Sequence, residues 1–340
     1  MDSGIQTGIQ NYGTSLFWKM FDYAWSLINV IFVWFTSQTE NLSASNSIKD
    51  KKKLKKTFSG KFFDDVKHFV NHDNQHIFCK YWEPKDSPRG LVLIIHGYAE
   101  HCGRYDSIVE MFNSLGLHVF SHDHVGHGES EGNRADVTDY RVYLRDILHH
   151  INLVKTKYPG LPLYIFGHSM GGSLAILLAH ENPNLAKCVI LSSPSIALPD
   201  QISPVKILAL KCLFSILPNI GVETLDPKML SKDKTQVEKY QNDLLVYHGK
   251  ILLRMGYQIY RMTEHIKSIL HEISYPFLII HGSNDCCCKC SGSEDMYQKA
   301  KSSDKTFKIY QDGFHELMHE IGDVPDQFLA DIKKWFQERV

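Results

Sequence analysis

From about Phe58 to the C-terminus, short apolar runs alternate with longer stretches of helical periodicity. Leu91–Ile95 (LVLII), Leu117–Phe120, Leu163–Phe166, Cys188–Leu191, Phe277–Ile280 and Thr306–Tyr310 read as strands. The first is apolar throughout, as a strand covered on both faces must be. Phe62–Val70 and His76–Trp82 alternate well enough to predict a strand pair, with the polar NHDNQ between them as its turn. Tyr140–Tyr158, Ser169–His180 and Pro325–Arg339 have the spacing of helices. Strands alternating with helices predict an α/β fold, a mostly parallel sheet covered on both faces. Between Ser193 and Ser274 the alternation stops. That span shows helical patterns and no convincing strand, and reads as an inserted helical cap. Within it, Ile202–Ile220 is apolar over most of its faces.

The first 57 residues differ in character. Leu16–Phe35 is apolar and aromatic and roughly the length of a bilayer span. Lys19, Asp22, Ser26 and Asn29 interrupt it at spacings of three and four, which places them on one helical stripe. Such a helix suits the membrane interface, or a span with one shielded face. The competing reading is a helix packed on the main domain. No positive charge precedes the apolar core in the way a signal peptide requires. Polar Thr36–Ser47 and the basic run KDKKKLKK (Lys49–Lys56) then read as a linker. Its charge would favour the cytoplasmic side and anionic lipid.

The formal net charge of −1 over 340 residues gives no field-driven affinity for nucleic acid. Of eight cysteines, four crowd into Cys286–Cys290 (CCCKC), which no disulfide framework resembles. They read as reduced thiols in a cytosolic setting.

GHSMG, Gly167–Gly171, lies between a predicted strand and a predicted helix and fits the G-x-S-x-G nucleophile elbow. A serine on that turn needs strained backbone angles and neighbours without a Cβ. Its hydroxyl then stands clear of the sheet edge, near the positive end of the following helix. A serine nucleophile needs a base, and the base an orienting acid. In such folds these follow in the order Ser, Asp/Glu, His, each beyond a strand end. Asp285 in FLIIHGSND and His315 in KIYQDGFH meet that condition. Asp243 and Glu272 fall in the cap, and Asp312 lies on the turn that presents His315. The oxyanion hole calls for two backbone donors: Met170, after the nucleophile, and Tyr98, in the loop HGYAEHCGRY (His96–Tyr105).

HELMH, His315–His319, also matches the zinc-peptidase pattern, with Glu316 as its base. The longer pattern needs a third histidine where this chain has Pro325, and no metal is expected. Cys287 and Cys290 form a single C-x-x-C without a second pair, so structural zinc is not expected either. Beside Asp285, the four thiols of Cys286–Cys290 predict an activity sensitive to oxidation or alkylation.

From about Phe58 onward the chain resembles the monoacylglycerol lipases of the α/β-hydrolase superfamily. HGYAEHCGRY, HDHVGHGESEG (His122–Gly132), GHSMGG and the ending GSND…DGFHELMHE carry the resemblance. It implies an eight-stranded sheet, a helical cap, and the triad Ser169, Asp285 and His315. It also implies hydrolysis of a single-chain glyceride to glycerol and fatty acid through an acyl-enzyme, without a cofactor. The cap would face membrane and admit the acyl chain. Polar groups matching Glu100, Arg104, His168 and Tyr240 would hold the glycerol end. Three departures bear on the head group: Tyr98 replaces a smaller residue, Ala99 replaces a glycine, and Met318 stands where the family has a histidine, with His319 displaced by one. The expectation is a membrane-associated serine esterase for monoacylglycerol, its catalytic domain cytosolic, and compatible with a homo-oligomer. The same chemistry on a lysophospholipid, or acyl transfer to an alcohol, is the alternative. A membrane-tethered binding protein with a dead site is the contrasting class.

Overall fold

The computed structural model describes residues 55–198 and 204–340. The apolar segment Leu16–Phe35 and the linker up to residue 54 lie outside the described residues. The described residues form ten strands: β1 (His68–Val70), β2 (His76–Trp82), β3 (Gly90–Ile95), β4 (Leu117–His122), β5 (Leu163–His168), β6 (Val189–Ser192), β7 (Gly221–Thr224), β8 (Lys250–Leu252), β9 (Phe277–Gly282) and β10 (Lys305–Tyr310). Eight of them form one sheet in the order β1-β2-β4-β3-β5-β6-β9-β10. β1 and β2 run antiparallel, and β2 is antiparallel to β4; every other pairing is parallel.

Every residue of β3, β4, β5, β6 and β9 is buried, including the polar His118, Ser121 and His122 of β4 within otherwise largely apolar runs. One face packs on helices Arg141–Lys157 and Met170–Glu181, in a core that includes Leu93, Ile165, Leu174 and Ile279. The other face packs on Asp106–Ser114 and Val324–Gln337, through Ile94, Phe112, Phe166 and Phe336. The parallel strands all end at the same edge, where the elbow and the loops after β3, β9 and β10 meet.

Two local expectations fail. Phe62–Val70 is not one strand: Phe63–Asp65 forms a 3-10 turn, and only His68–Val70 pairs with β2. The interposed span is not purely helical. Helices Pro204–Leu213, Lys234–Asn242 and Leu253–Ile269 are joined by an antiparallel pair, β7 with β8. These strands are three and four residues long and largely exposed, so they carry no apolar signature to read. Of Ile202–Ile220, Ile202 and Ser203 lie outside the described residues, and the helix stops at Leu213, ahead of Pro218. Helices Asp106–Ser114 and Cys290–Lys299 went unread in the sequence; the second has almost no apolar spacing. Among the described residues, no helix is long and apolar enough to cross a membrane.

Candidate active site

β5 ends at His168, and the helix from Met170 begins one residue later, so the whole turn falls on Ser169. Its φ is +54° and ψ is −121°, a region that side chains other than glycine rarely adopt. The strain is held from several sides. The Ser169 N–H donates to Ser192 O at 3.0 Å, and Ser169 O accepts from the N–H groups of Gly172 at 3.0 Å and Ser195 at 3.1 Å. The flanking glycines are there for space. A Cβ on Gly167 would lie 2.5 Å from Gly171 O, and one on Gly171 would lie 2.1 Å from Ile95 O. Gly171 therefore lets the elbow close against the end of β3, where the next loop begins.

That loop starts at His96. The His96 Nε2 accepts from the His124 N–H at 2.9 Å, so its proton sits on Nδ1, which donates to Gly97 O at 2.8 Å. Glu100, buried, accepts from the Gly97 N–H at 2.6 Å and from the Tyr105 hydroxyl at 2.5 Å. Ala99 adopts φ +66°. Tyr98 and Met170 both line a cavity of about 320 Å³ together with Ser169 and His315. The HDHVGHGESEG block thus serves as a brace: Asp123 Oδ1 and Oδ2 take the N–H groups of Cys102 and Glu129, each at 2.8 Å.

Asp285 lies three residues beyond β9, and His315 five beyond β10. The His315 Nδ1 donates to Asp285 Oδ2 at 2.6 Å. The other carboxylate oxygen accepts the N–H groups of Cys287 at 2.7 Å and Cys288 at 2.9 Å. His281 Nε2 stands 3.1 Å from Oδ2, and the Asp285 side chain has no exposed surface. Burial by itself would raise the Asp285 pKa. The charge on His315 and the hydrogen bonds from His281 and His315 outweigh it and hold the carboxyl well below its usual range. The converse applies to His315: burial would lower its pKa, but Asp285, with Glu316 and Glu100, lifts it above its ordinary value. His168 packs its ring 4.8 Å from that of His315, and burial pushes it down to about 3, so it is neutral.

The Ser169 hydroxyl is not hydrogen-bonded to this pair. Its hydrogen-bond partner is Cys288 Sγ at 3.9 Å, and His315 Nε2 has no hydrogen bond among the described residues. The residues singled out for the glycerol end separate in the same way. Glu100, His168 and Tyr240 reach the cavity wall; Arg104 is not among the lining residues. Its guanidinium bridges Glu100 at 3.0 Å and Glu316 at 2.7 and 2.9 Å, and lies 4.7 Å over the Tyr240 ring. Glu316 is a functional candidate that the sequence reading took only as a rival base. Met318 is buried in the core, and His319 Nδ1 bonds Glu316 Oε2 at 2.8 Å.

The zinc-peptidase pattern does not form its site. Leu317–His319 is a lone 3-10 turn, and the two imidazoles bond different carboxylates, Asp285 and Glu316. Asp285, Cys287 and His315 do place ligand atoms within 4.8 Å of one another. A cation there would have to break the Asp285–His315 hydrogen bond. Asp243, a rival acid, bonds His101 at 2.9 Å, and Glu272 bonds His180 at 2.9 Å, so both are engaged elsewhere.

The profile of the serine aminopeptidase (S33) family matches residues 86–322. The chain is 39% identical to monoglyceride lipase of Rattus norvegicus over 279 residues, covering 82% of this chain and 92% of that one. It is 39% identical to monoglyceride lipase of Homo sapiens over 278 residues, with the same coverage. Among solved structures it resembles the monoacylglycerol lipase of Paleococcus ferrophilus with a TM-score of 0.70 at 27% identity, covering 78% of this chain and 99% of the other. With Ser169 and His315 brought to one cavity and similarity of this kind over four-fifths of its length, the chain belongs to the monoglyceride lipase family of α/β-hydrolases.

Proposed function

We propose that this protein is a serine esterase that hydrolyses monoacylglycerol to glycerol and fatty acid. One observation carries the reading: Ser169 on its strained elbow and His315, held from behind by Asp285, line the same cavity. In the working state, a rotation about Cα–Cβ carries the Ser169 hydroxyl from Cys288 to the unbonded Nε2 of His315. His315 takes the proton as Ser169 attacks the ester carbonyl. Asp285 fixes the imidazole tautomer and stabilises its charged form. The N–H groups of Tyr98 and Met170, which have no partner among the described residues, receive the oxyanion. Glycerol leaves with the proton from His315, and water repeats the sequence on the acyl-enzyme. The cavity's apolar wall, including Leu198, Ile251 and Ile259, takes the acyl chain. Glu100, His168 and Tyr240 frame the polar end, and Arg104 acts on it through Glu100 and Tyr240.

The proposed organisation is a hydrolase domain over residues 58–340 with its cap at 193–274, preceded by a membrane-associating extension and basic linker over 1–57. The cap supports membrane contact, because Val205, Leu208, Ile216 and Leu244 are 75%, 62%, 64% and 84% exposed. The domain would then work on the cytosolic side of that membrane. Hydrolysis of a panel of mono-, di- and triacylglycerols, lysophosphatidylcholine and a short soluble ester tests the reading. Monoacylglycerol should lead, and a fluorophosphonate probe should label the wild type and not Ser169→Ala. Loss of Ser169 should lower kcat by about 10⁶-fold. Turnover of the soluble ester alone would refute the lipid assignment.

A further inference from the structure

Apart from the imidazoles of His168 and His315, the charged side chains of the cavity wall are all carboxylates. Four carboxylate residues line it, Glu100, Glu223, Asp226 and Glu316, and among the described lining residues there is no lysine or arginine. Arg104, behind the lining, is spent: Glu100 and Glu316 take its guanidinium between them, and the Tyr240 ring covers its face. That trio sets two carboxylates against one guanidinium, with His319 bonded to Glu316 behind them. Burial opposes the charge on Glu316, but Arg104 and His319 hold its pKa well below the usual carboxylate range. The nearby thiols add no charge, since burial raises Cys287 and Cys288 far above neutral pH. His168 is neutral and so supplies no compensating cation.

We propose that Glu316, by clamping Arg104, makes the alcohol end of this cavity select leaving groups by charge: neutral and cationic alcohols enter, and phosphate-bearing alcohols are rejected. The further substrates this admits are fatty acyl esters of amino alcohols of the choline or ethanolamine type. The inference rests on the esterase reading above and names the leaving group for that same site. The chemistry is unchanged. The ester C–O bond breaks as the Ser169–acyl bond forms, the proton passes through His315 to the departing oxygen, and water then frees the acid. What changes is the field at the departing alcohol. A like charge placed against a buried carboxylate is repelled, and an ammonium in the same place is attracted.

The test uses the full chain and three esters of one decanoyl chain: decanoylglycerol, decanoylcholine and decanoylglycerol phosphate. We expect decanoylcholine to be cleaved with a kcat/KM within about tenfold of decanoylglycerol, and the phosphate ester about a hundredfold less efficiently. Glu316→Gln should then shrink the choline-to-phosphate ratio by about tenfold. That ratio is internal to each protein sample, so a partly unfolded variant does not distort it. The wild-type panel also stands without any variant. Equal turnover of the choline and phosphate esters, or a ratio unchanged in Glu316→Gln, overturns the proposal while leaving monoacylglycerol hydrolysis intact. Cleavage of the choline ester without the glycerol ester upholds the charge selection and overturns the monoacylglycerol assignment. No turnover of any ester overturns both.

Discussion

Two helices of this protein are almost equally apolar in sequence and opposite in fate. In Met170–Glu181 (MGGSLAILLAHE), ten of twelve residues are buried. In Pro204–Leu213 (PVKILALKCL), none is. The first runs back across the sheet from the elbow, and its small residues let it approach the strands closely. The second belongs to the cap and packs only in part, with Val205 and Leu208 projecting outward. Apolar composition therefore says that a segment avoids water, not what it meets instead. In the sheet that partner is the rest of the chain, and the result is rigid positioning. In the cap the apolar side chains stay exposed, and in the proposed reading lipid covers them.

The contrast can be broken at the rigid end first. Asp285→Asn removes the acceptor that orients His315 while leaving the sheet untouched. We expect kcat to fall by about 10⁴-fold. The pH profile should move as well. In the wild type, His315 is lifted above its ordinary pKa, so kcat/KM should be lost as pH falls through a value above 6.5. In the Asn variant that acid limb should shift to lower pH. Parallel pH–rate profiles check both; an unmoved limb would mean that Asp285 does not set the charge on His315.

A second prediction concerns the stability of the same edge. Burial holds His122 down to about 3, His127 to about 4 and His168 to about 3, and it also depresses His96, His124 and His150. Folded, these rings stay neutral well below pH 6.5; unfolded, they bind protons near pH 6.5. The unfolded chain therefore gains protons first, and stability present above 6.5 is lost as the pH falls from there toward the folded values. Each such ring contributes a slope of about 1.4 kcal/mol per pH unit. The raised His315 works in the opposite sense, but it is one ring against six. Urea denaturation at pH 7.5, 6.5 and 5.5 should show a steep fall in the last interval. A flat response would mean that these rings are protonated in the native state.

The smallest effect is expected at the cap. Val205→Ser, Leu208→Ser and Ile216→Ser together should lower activity on vesicle-borne monoacylglycerol by about tenfold, since each removes exposed apolar area available to lipid. Turnover of a short soluble ester and the melting temperature should hardly change. A matching loss with the soluble ester would place these residues in the packing of the cap rather than on its lipid-facing side.

How legible each part was follows from the same contrast. Leu91–Ile95, Leu163–Phe166 and Phe277–Ile280 could be read because a strand buried on both faces must be apolar at every position. Ser169 could be read because its turn demands glycines at Gly167 and Gly171, a demand local to five residues. Strands β7 and β8 could not be read, because exposed short strands impose no pattern. His281 could not be recognised as a partner of Asp285, since its apolar surroundings match any strand end. Nor could Arg104 be seen as withdrawn from the cavity, because its partner Glu316 lies 212 positions away.

The sequence by itself determined the buried strands, the elbow, and the order in which Ser169, Asp285 and His315 follow strand ends, because backbone sterics and two-sided burial restrict residue type locally. Only the tertiary structure decided that Arg104 faces two carboxylates, that the Ser169 hydroxyl rests on Cys288, and that one apolar helix is core while another is surface. Those outcomes depend on distances between residues far apart in the chain, and no residue type at a single position encodes such a distance.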